Sequence, residues 1–161
     1  MGYKSFASMN IAIIGNSKTS AILAQGLALA GHDIMIGLRE DEDIMFDFLE
    51  AEFDNIEVMH VSDAAHLADL IIMATSPEDV REMAYLLDDV RKKVILDISN
   101  VAVGKSGNYL NTVNAIKSIT GSSFVVKCFN TKSFESTAGR GKDNAINMFI
   151  AGDDKKAKEV T

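Results

Sequence analysis

The sequence lacks most of what would mark a secreted, membrane-spanning, metal-binding or nucleic-acid-binding protein. A single cysteine, Cys128, excludes an internal disulfide framework. It lies in the apolar run Phe124-Val125-Val126-Lys127-Cys128-Phe129 and reads as a small buried core residue. No apolar run approaches the roughly 18–20 residues that cross a bilayer, so no membrane segment is expected. The opening stretch MGYKSFAS carries no secretory signal pattern. Residues 1–8 read as an N-terminal extension or cloning remnant, with Met9 as a natural start, and a cytoplasmic location is the default expectation. Basic residues number 16 against 23 acidic ones, a formal charge of −7, and they form no stripe, so nucleic acid is not an expected partner. His60 and His66 have no Cys, Asp or His partner at metal-ligand spacing, and His32 follows Gly31 just past an expected helix end. No metal site is expected.

Proline is equally scarce. The only one, Pro77, follows Ser76 and precedes Asp79, a helix-start pattern in which Ser76 is the N-cap, Pro77 the first helical residue and Asp79 the capping-box acid. The 161 residues are 47% apolar and 24% charged, enough for one domain with a substantial core. Apolar runs predict strands at 10–15, 33–38, 56–61, 69–75, 93–98, 123–129 and 146–151. Helices are expected near 18–30, 41–52, 63–68, 77–90 and 108–119, with a further one beginning near Asp153. The chain stops at Thr161 inside that last helix, so residues 9–161 read as one domain whose C-terminal part is missing. Several strands are apolar throughout, as in Leu70-Ile71-Ile72-Met73-Ala74, which suits strands covered on both faces. The expected architecture is a doubly wound α/β domain with a mostly parallel sheet, and with ligand outside the carboxyl ends of the strands.

Those ends hold the polar residues of interest. The first turn reads Gly15-Asn16-Ser17-Lys18-Thr19-Ser20. A dinucleotide-binding loop uses three glycines, for the turn, for the approach of the pyrophosphate and for helix–strand packing. Here only Gly15 remains, and Ser17 and Ser20 hold the other two places. Their hydroxyls could bond a phosphate, Lys18 adds a positive charge, and a helix N-terminus offers free N–H groups. A serine Cβ at the approach point would instead push a pyrophosphate outward. From the residues alone the segment reads equally as a cofactor loop or as a small-residue turn. Arg39, at the tip of the second strand, suits the 2′-phosphate of NADP, whereas the acids Glu40 to Asp43 that follow would repel it. The fifth and sixth strand ends, Asp97-Ile98-Ser99-Asn100 and Lys127-Cys128-Phe129-Asn130-Thr131, could hold a nicotinamide or could cap loops. No G-x-S-x-G elbow or C-x-x-C pair appears, and no catalytic acid or base stands out. Hydride transfer between two bound cofactors is compatible with that, because it needs positioning rather than proton transfer.

From Met9 to Lys158 the chain resembles the deazaflavin (coenzyme F-420)-dependent NADP oxidoreductase family, whose fold also forms the cytoplasmic domain of the membrane ferric reductases. The resemblance rests on the strand–turn–helix at Ile11 to Ala30, on Gly31-His32-Asp33, and on Gly37-x-Arg39. It continues through Asp97-Ile98-Ser99-Asn100, Val126-Lys127-x-Phe129-Asn130-Thr131 and Phe149-Ile150-Ala151-Gly152-Asp153-Asp154. It implies a Rossmann-like domain that binds NADP, with NAD as the alternative, and exchanges hydride with a flavin or with deazaflavin F-420 as second cofactor; it also allows for a homodimer. Carried over by position, the pyrophosphate lies over Asn16, Ser17, Lys18, Thr19 and Ser20 beside Gly15. The 2′-phosphate meets Leu38 and Arg39, and the nicotinamide approaches Ala74, Thr75, Asn100 and Asn130. Three departures stand out: serine for glycine at 17 and 20, leucine for serine at 38, and acids up to Asp43 where a basic residue often follows. Loss of two charge-assisted contacts, at about 1.5–3 kcal/mol each, would weaken NADP binding by about two or more orders of magnitude. A non-catalytic nucleotide-binding or scaffold domain with an eroded phosphate loop is therefore the alternative reading.

Overall fold

Residues 7–42, 46–99, 111–129 and 149–161 are described by a computed structural model. The chain order is β1 Asn10–Ile14, α1 Lys18–Leu29, β2 Asp33–Leu38, α2 Asp47–Glu52, β3 Ile56–His60, α3 Val61–Leu67 and β4 Leu70–Met73. It continues with α4 Val80–Leu86, β5 Val94–Asp97, α5 Thr112–Thr120, β6 Val125–Lys127 and α6 Lys155–Val160. The strands form one sheet in the order β3-β2-β1-β4-β5-β6, and every neighbouring pair is parallel. This is the expected α/β Rossmann-like architecture.

Burial explains why the central strands are apolar without alternation. In β1, Ile11 and Ile13 point into one layer, where Leu23, Ala24 and Ala28 of α1, Leu49 of α2 and Ala157 of α6 also pack. Ala12 and Ile14 point into the other layer, with Val61, Ala64 and Ala65 of α3, Met83 of α4 and Ile116 of α5. β4 divides in the same way, with Leu70 and Ile72 on the first face and Ile71 and Met73 on the second. A strand sandwiched between two helical layers has no solvent face to make polar. The lone cysteine is buried in the first layer, and burial pushes its thiol pKa up, against smaller lowering effects from the Phe129 backbone and Lys127.

The second layer also fixes a glycine. A Cβ on Gly37 would lie 2.6 Å from Ile14 Cδ1 and 3.2 Å from Val61 Cα, so the start of α3 rests directly on β2. A larger residue would push α3 off the sheet.

Several expected boundaries shorten. β4 and β5 end at Met73 and Asp97, and β6 spans only Val125–Lys127. The expected strand at 146–151 falls partly outside the described residues; within them, Ala151 makes a single antiparallel bridge to Lys127 rather than a strand. The expected helix at 41–52 begins only at Asp47, within the described residues, because the Arg39–Glu42 turn comes first. The expected helix over 77–90 is the largest correction. Ser76 Oγ does accept the Asp79 N–H (3.2 Å) and donates to Asp79 Oδ2 (2.7 Å). These bonds close a turn at Ser76–Asp79, and the α-helix itself runs only Val80–Leu86. Pro77 therefore sits in that turn rather than at the first helical position. At the other end, Leu87 leaves the helical region for extended backbone, and Asp89 takes a left-handed φ of 50°.

Because the Cys128 thiol is buried with a raised pKa, native protein at neutral pH should react with a thiol-specific reagent at least about tenfold more slowly than protein unfolded in guanidinium. Equal rates in the two states would contradict this packing.

Candidate functional site

The strand order places the site. From β1 the chain winds outward to β2 and β3, then crosses back to β4 on the other side of β1 and continues to β5 and β6. Such a reversal leaves a crevice at the carboxyl ends of β1 and β4, where ligands of open α/β sheets bind.

Gly15 closes the floor of that crevice. Its φ is +140°, and a Cβ there would stand 2.5 Å from the carbonyl oxygen of Ala74 and 3.2 Å from the Thr75 nitrogen. Its N–H donates to the Gly37 carbonyl at 3.3 Å, and the Ala74 N–H donates to the Ile14 carbonyl at 2.8 Å. The ends of β1, β2 and β4 thus meet backbone to backbone, which no side chain at 15 would permit. Of the residues expected to bind cofactor, this contact brings Gly15, Ala74 and Thr75 together. Asn100 and Asn130 lie outside the described residues.

The serines behave differently from each other. Ser17 takes extended backbone and is the N-cap of α1, its Oγ accepting the Ser20 N–H at 3.2 Å. Ser20 is fully buried inside the first turn of that helix, with its Oγ 3.0 Å from that of Ser17. Ser20 therefore fills a packing position, while Ser17 provides a hydroxyl to one of the helix-start N–H groups that an anion would otherwise bind. Asn16 and Thr19 are half-buried, and Lys18 is exposed at the same turn.

Leu38 is buried in the core beneath the edge, so only its backbone reaches the crevice. Arg39, next to it, is enclosed by acids. Its Nη2 donates to Glu42 Oε1 at 3.2 Å and its Nη1 lies 3.1 Å from Glu82 Oε1, with Asp41 Oδ1 3.7 Å from Nε. Glu42 also accepts the Arg39 backbone N–H through Oε2 at 3.0 Å. Burial alone would lower the guanidinium pKa, but Glu42, then Glu82 and Asp41, outweigh it and raise the value. Glu82 belongs to α4, which follows β4, so this ion pair reaches across the end of β1. Nothing in the sequence near Arg39 signals it.

A second polar cluster sits at the ends of β5 and β6. Asp97 is fully buried and accepts from the Ser99 N–H at 2.9 Å, from Ser99 Oγ at 2.5 Å and from Thr112 Oγ1 at 2.5 Å. Lys127 Nζ donates to Asp97 Oδ2 at 3.1 Å and also to the Ser99 carbonyl. For Asp97 and Ser99, these bonds fit the loop-capping role that the sequence left open. Acids and lysines embedded in the runs VILD and VVK were the available signal, since each needs an opposite charge once buried. Phe129, with a φ of 57°, is the non-glycine residue in left-handed backbone at this same edge.

Among the described residues, no group of three or more His, Cys, Asp or Glu side chains is placed to hold a metal ion, and no helix is long and apolar enough to cross a membrane.

Comparison with known proteins gives a consistent picture. The family model described as NADP oxidoreductase, coenzyme F420-dependent, matches residues 10–101, more than half of the chain and all of β1 to β5. The structure is similar to that of a candidate F420-dependent NADP reductase from Arthrobacter sp. FB24, with a TM-score of 0.77 and 24% identity over 95% of this chain and 77% of that one. A hypothetical protein, SMa0349 from Sinorhizobium meliloti, is similar at a TM-score of 0.76 and 18% identity, over 96% and 78% of the two chains. A GDP-mannose dehydrogenase from Pseudomonas aeruginosa shares the fold at a TM-score of 0.65 and 17% identity, over 94% of this chain and 43% of that one. At these identities the solved structures speak for the fold.

Two substitutions test the geometry by equilibrium unfolding. Gly15→Ala should cost at least about 2 kcal/mol, because it adds a Cβ at an unfavourable φ against a backbone carbonyl. Asp97→Asn should cost about 3 kcal/mol by leaving Lys127 without its carboxylate, and adding Lys127→Met should recover part of that loss. A neutral outcome for either single substitution would contradict the contacts described.

Proposed function

Because the chain belongs to the NADP oxidoreductase, coenzyme F420-dependent family, we propose that it binds NADP(H) across the carboxyl ends of β1, β2 and β4, with NAD(H) as the alternative, and exchanges hydride with a flavin or deazaflavin acceptor. The family is one of NAD(P)-dependent oxidoreductases. The observation that carries the reading is Gly15, whose left-handed turn joins β1 to the N-terminus of α1 at the point where the strand order reverses. On this reading residues 9–161 are a single dinucleotide-binding domain.

The described residues fit such a ligand unevenly. The floor fits well, since Gly15 lets the ends of β1 and β4 close against each other and the first turn of α1 starts from that junction. Asn16 to Thr19 are assigned to the pyrophosphate, with Ser20 buried beneath them as packing, and Lys18 adds charge from the solvent side. Ser17 must share the helix terminus with a phosphate, because its own Oγ already accepts the Ser20 N–H. Leu38, through its backbone, and Arg39 are assigned to the adenosine ribose and its 2′-phosphate, and Ala74 and Thr75 to the nicotinamide end, where the family resemblance also assigns Asn100 and Asn130. When bound, the dinucleotide supplies the hydride; the chain is assigned the task of holding the ring and acceptor in line, with no protein acid or base required.

The alternative, a nucleotide-binding or scaffold domain with an eroded phosphate loop, draws on the Ser17 cap and the enclosed Arg39. Calorimetric titration with NADPH and with NADH separates the readings. Saturation by at least one dinucleotide below millimolar concentration is expected, and no saturation by either at millimolar concentration would sink the proposal. The variant Ser17→Gly/Ser20→Gly grades the result. A large gain in affinity would indicate an eroded loop, whereas a change under about threefold would indicate a loop that works with serine. Oxidation of NADPH in the presence of FMN, FAD or F-420 then tests the acceptor.

A further inference from the structure

Among the described residues, Arg39 is the basic side chain at the tip of β2, and its partners come from two places. Asp41 and Glu42 follow it directly, as the acidic run in the sequence suggests. Glu82 arrives from α4, on the far side of β1. Together the four side chains carry a formal charge of −2, from one guanidinium and three carboxylates. Glu42 is fixed twice, by the guanidinium at 3.2 Å and by the Arg39 backbone N–H at 3.0 Å, and its side chain is only 15% exposed.

We propose that Glu42 and Glu82 are specificity-determining residues: by enclosing Arg39 they lower the chain's affinity for the 2′-phosphate of NADP(H) relative to the ribose diol of NAD(H). The inference rests on the dinucleotide reading above. An arginine at this position favours a 2′-phosphate only when its N–H groups can turn to the phosphate oxygens. Here Nη1 and Nη2 each already face a carboxylate. A phosphate dianion would have to displace one of these carboxylates or bind the remaining N–H groups, among them the Nε that lacks a hydrogen-bond partner, with the acids beside it as like charges. A ribose diol carries no charge and offers hydroxyl donors, which carboxylates accept; an acid after the second strand plays that part in NAD-binding folds. Glu42 and Glu82 differ in how they act. Glu42 also closes the Arg39–Glu42 turn, whereas Glu82 is 62% exposed and contributes to the enclosure from a separate element.

The test compares NADPH and NADH affinities of the unaltered chain with those of Glu82→Gln, Glu42→Gln and the double variant. Each single variant should tighten NADPH binding by roughly threefold to tenfold and leave NADH within about threefold, so that the double variant shifts the preference ratio by about tenfold or more. Glu82→Lys should shift it further. Glu78→Gln, which removes an exposed acid outside the enclosure, should leave the ratio where it was. Thermal melting of each variant checks folding, and Glu82→Gln, on an exposed side chain, carries the test if Glu42→Gln unfolds. A ratio unchanged within twofold in Glu82→Gln, or an equal shift in Glu78→Gln, overturns the assignment while leaving dinucleotide binding intact. If neither the unaltered chain nor any variant binds either dinucleotide, the proposed function falls and this inference with it.

Discussion

The close approach of Gly15 to the Ala74 carbonyl is the contact on which the rest of the site depends. Parallel strands have no local turn to align them, so their carboxyl ends must be brought level by direct packing. Here a residue without Cβ lets the end of β1 lie against the end of β4 while its N–H reaches the Gly37 carbonyl of β2. That junction aims α1 at the crevice and puts the tip of β2, with Arg39, on the same edge. A side chain at 15 would run into the Ala74 backbone and force the ends of β1 and β4 apart.

The central fold was legible because its physics is repetitive. The interiors of β1, β2, β4 and β5 are buried on both faces, so they read as apolar runs with polar residues only at their ends, and their positions follow from sequence within one or two residues. Helix extents were harder to read. Ser76, Pro77 and Asp79 carry every sign of a helix start, and their hydrogen bonds do form, yet they close a turn and the helix waits until Val80. The sequence signals the capping chemistry but not which backbone geometry uses it.

The candidate site was legible only in part, and the limit is again physical. The Gly15 turn and Arg39 could be located because strand ends bear ligands in this kind of sheet. The use of Ser17 as a cap, the burial of Ser20 and the arrival of Glu82 depend on three-dimensional packing. Asp97 and Lys127 were visible as isolated charges in apolar strands, but their mutual partnership follows only from β5 and β6 being neighbours in register. The motifs that carry the family likeness are therefore a mixture. Some can touch a ligand, and others, such as Asp97, secure the loops around it.

The antiparallel bridge between Lys127 and Ala151 has a consequence for how molecules of this protein meet. An open sheet ends in two edge strands whose outward amide and carbonyl groups can recruit another chain. At the β6 edge, the Lys127 N–H donates to the Ala151 carbonyl at 2.7 Å and the Lys127 carbonyl accepts the Ala151 N–H at 2.9 Å. The short final strand thus has its last outward pair already engaged by its own chain. At the opposite edge β3 is five residues long and carries Glu57 and His60, polar groups that make edge-to-edge stacking costly. Among the described residues, the two margins of the sheet thus differ, with a self-paired position on one side and polar side chains on the other.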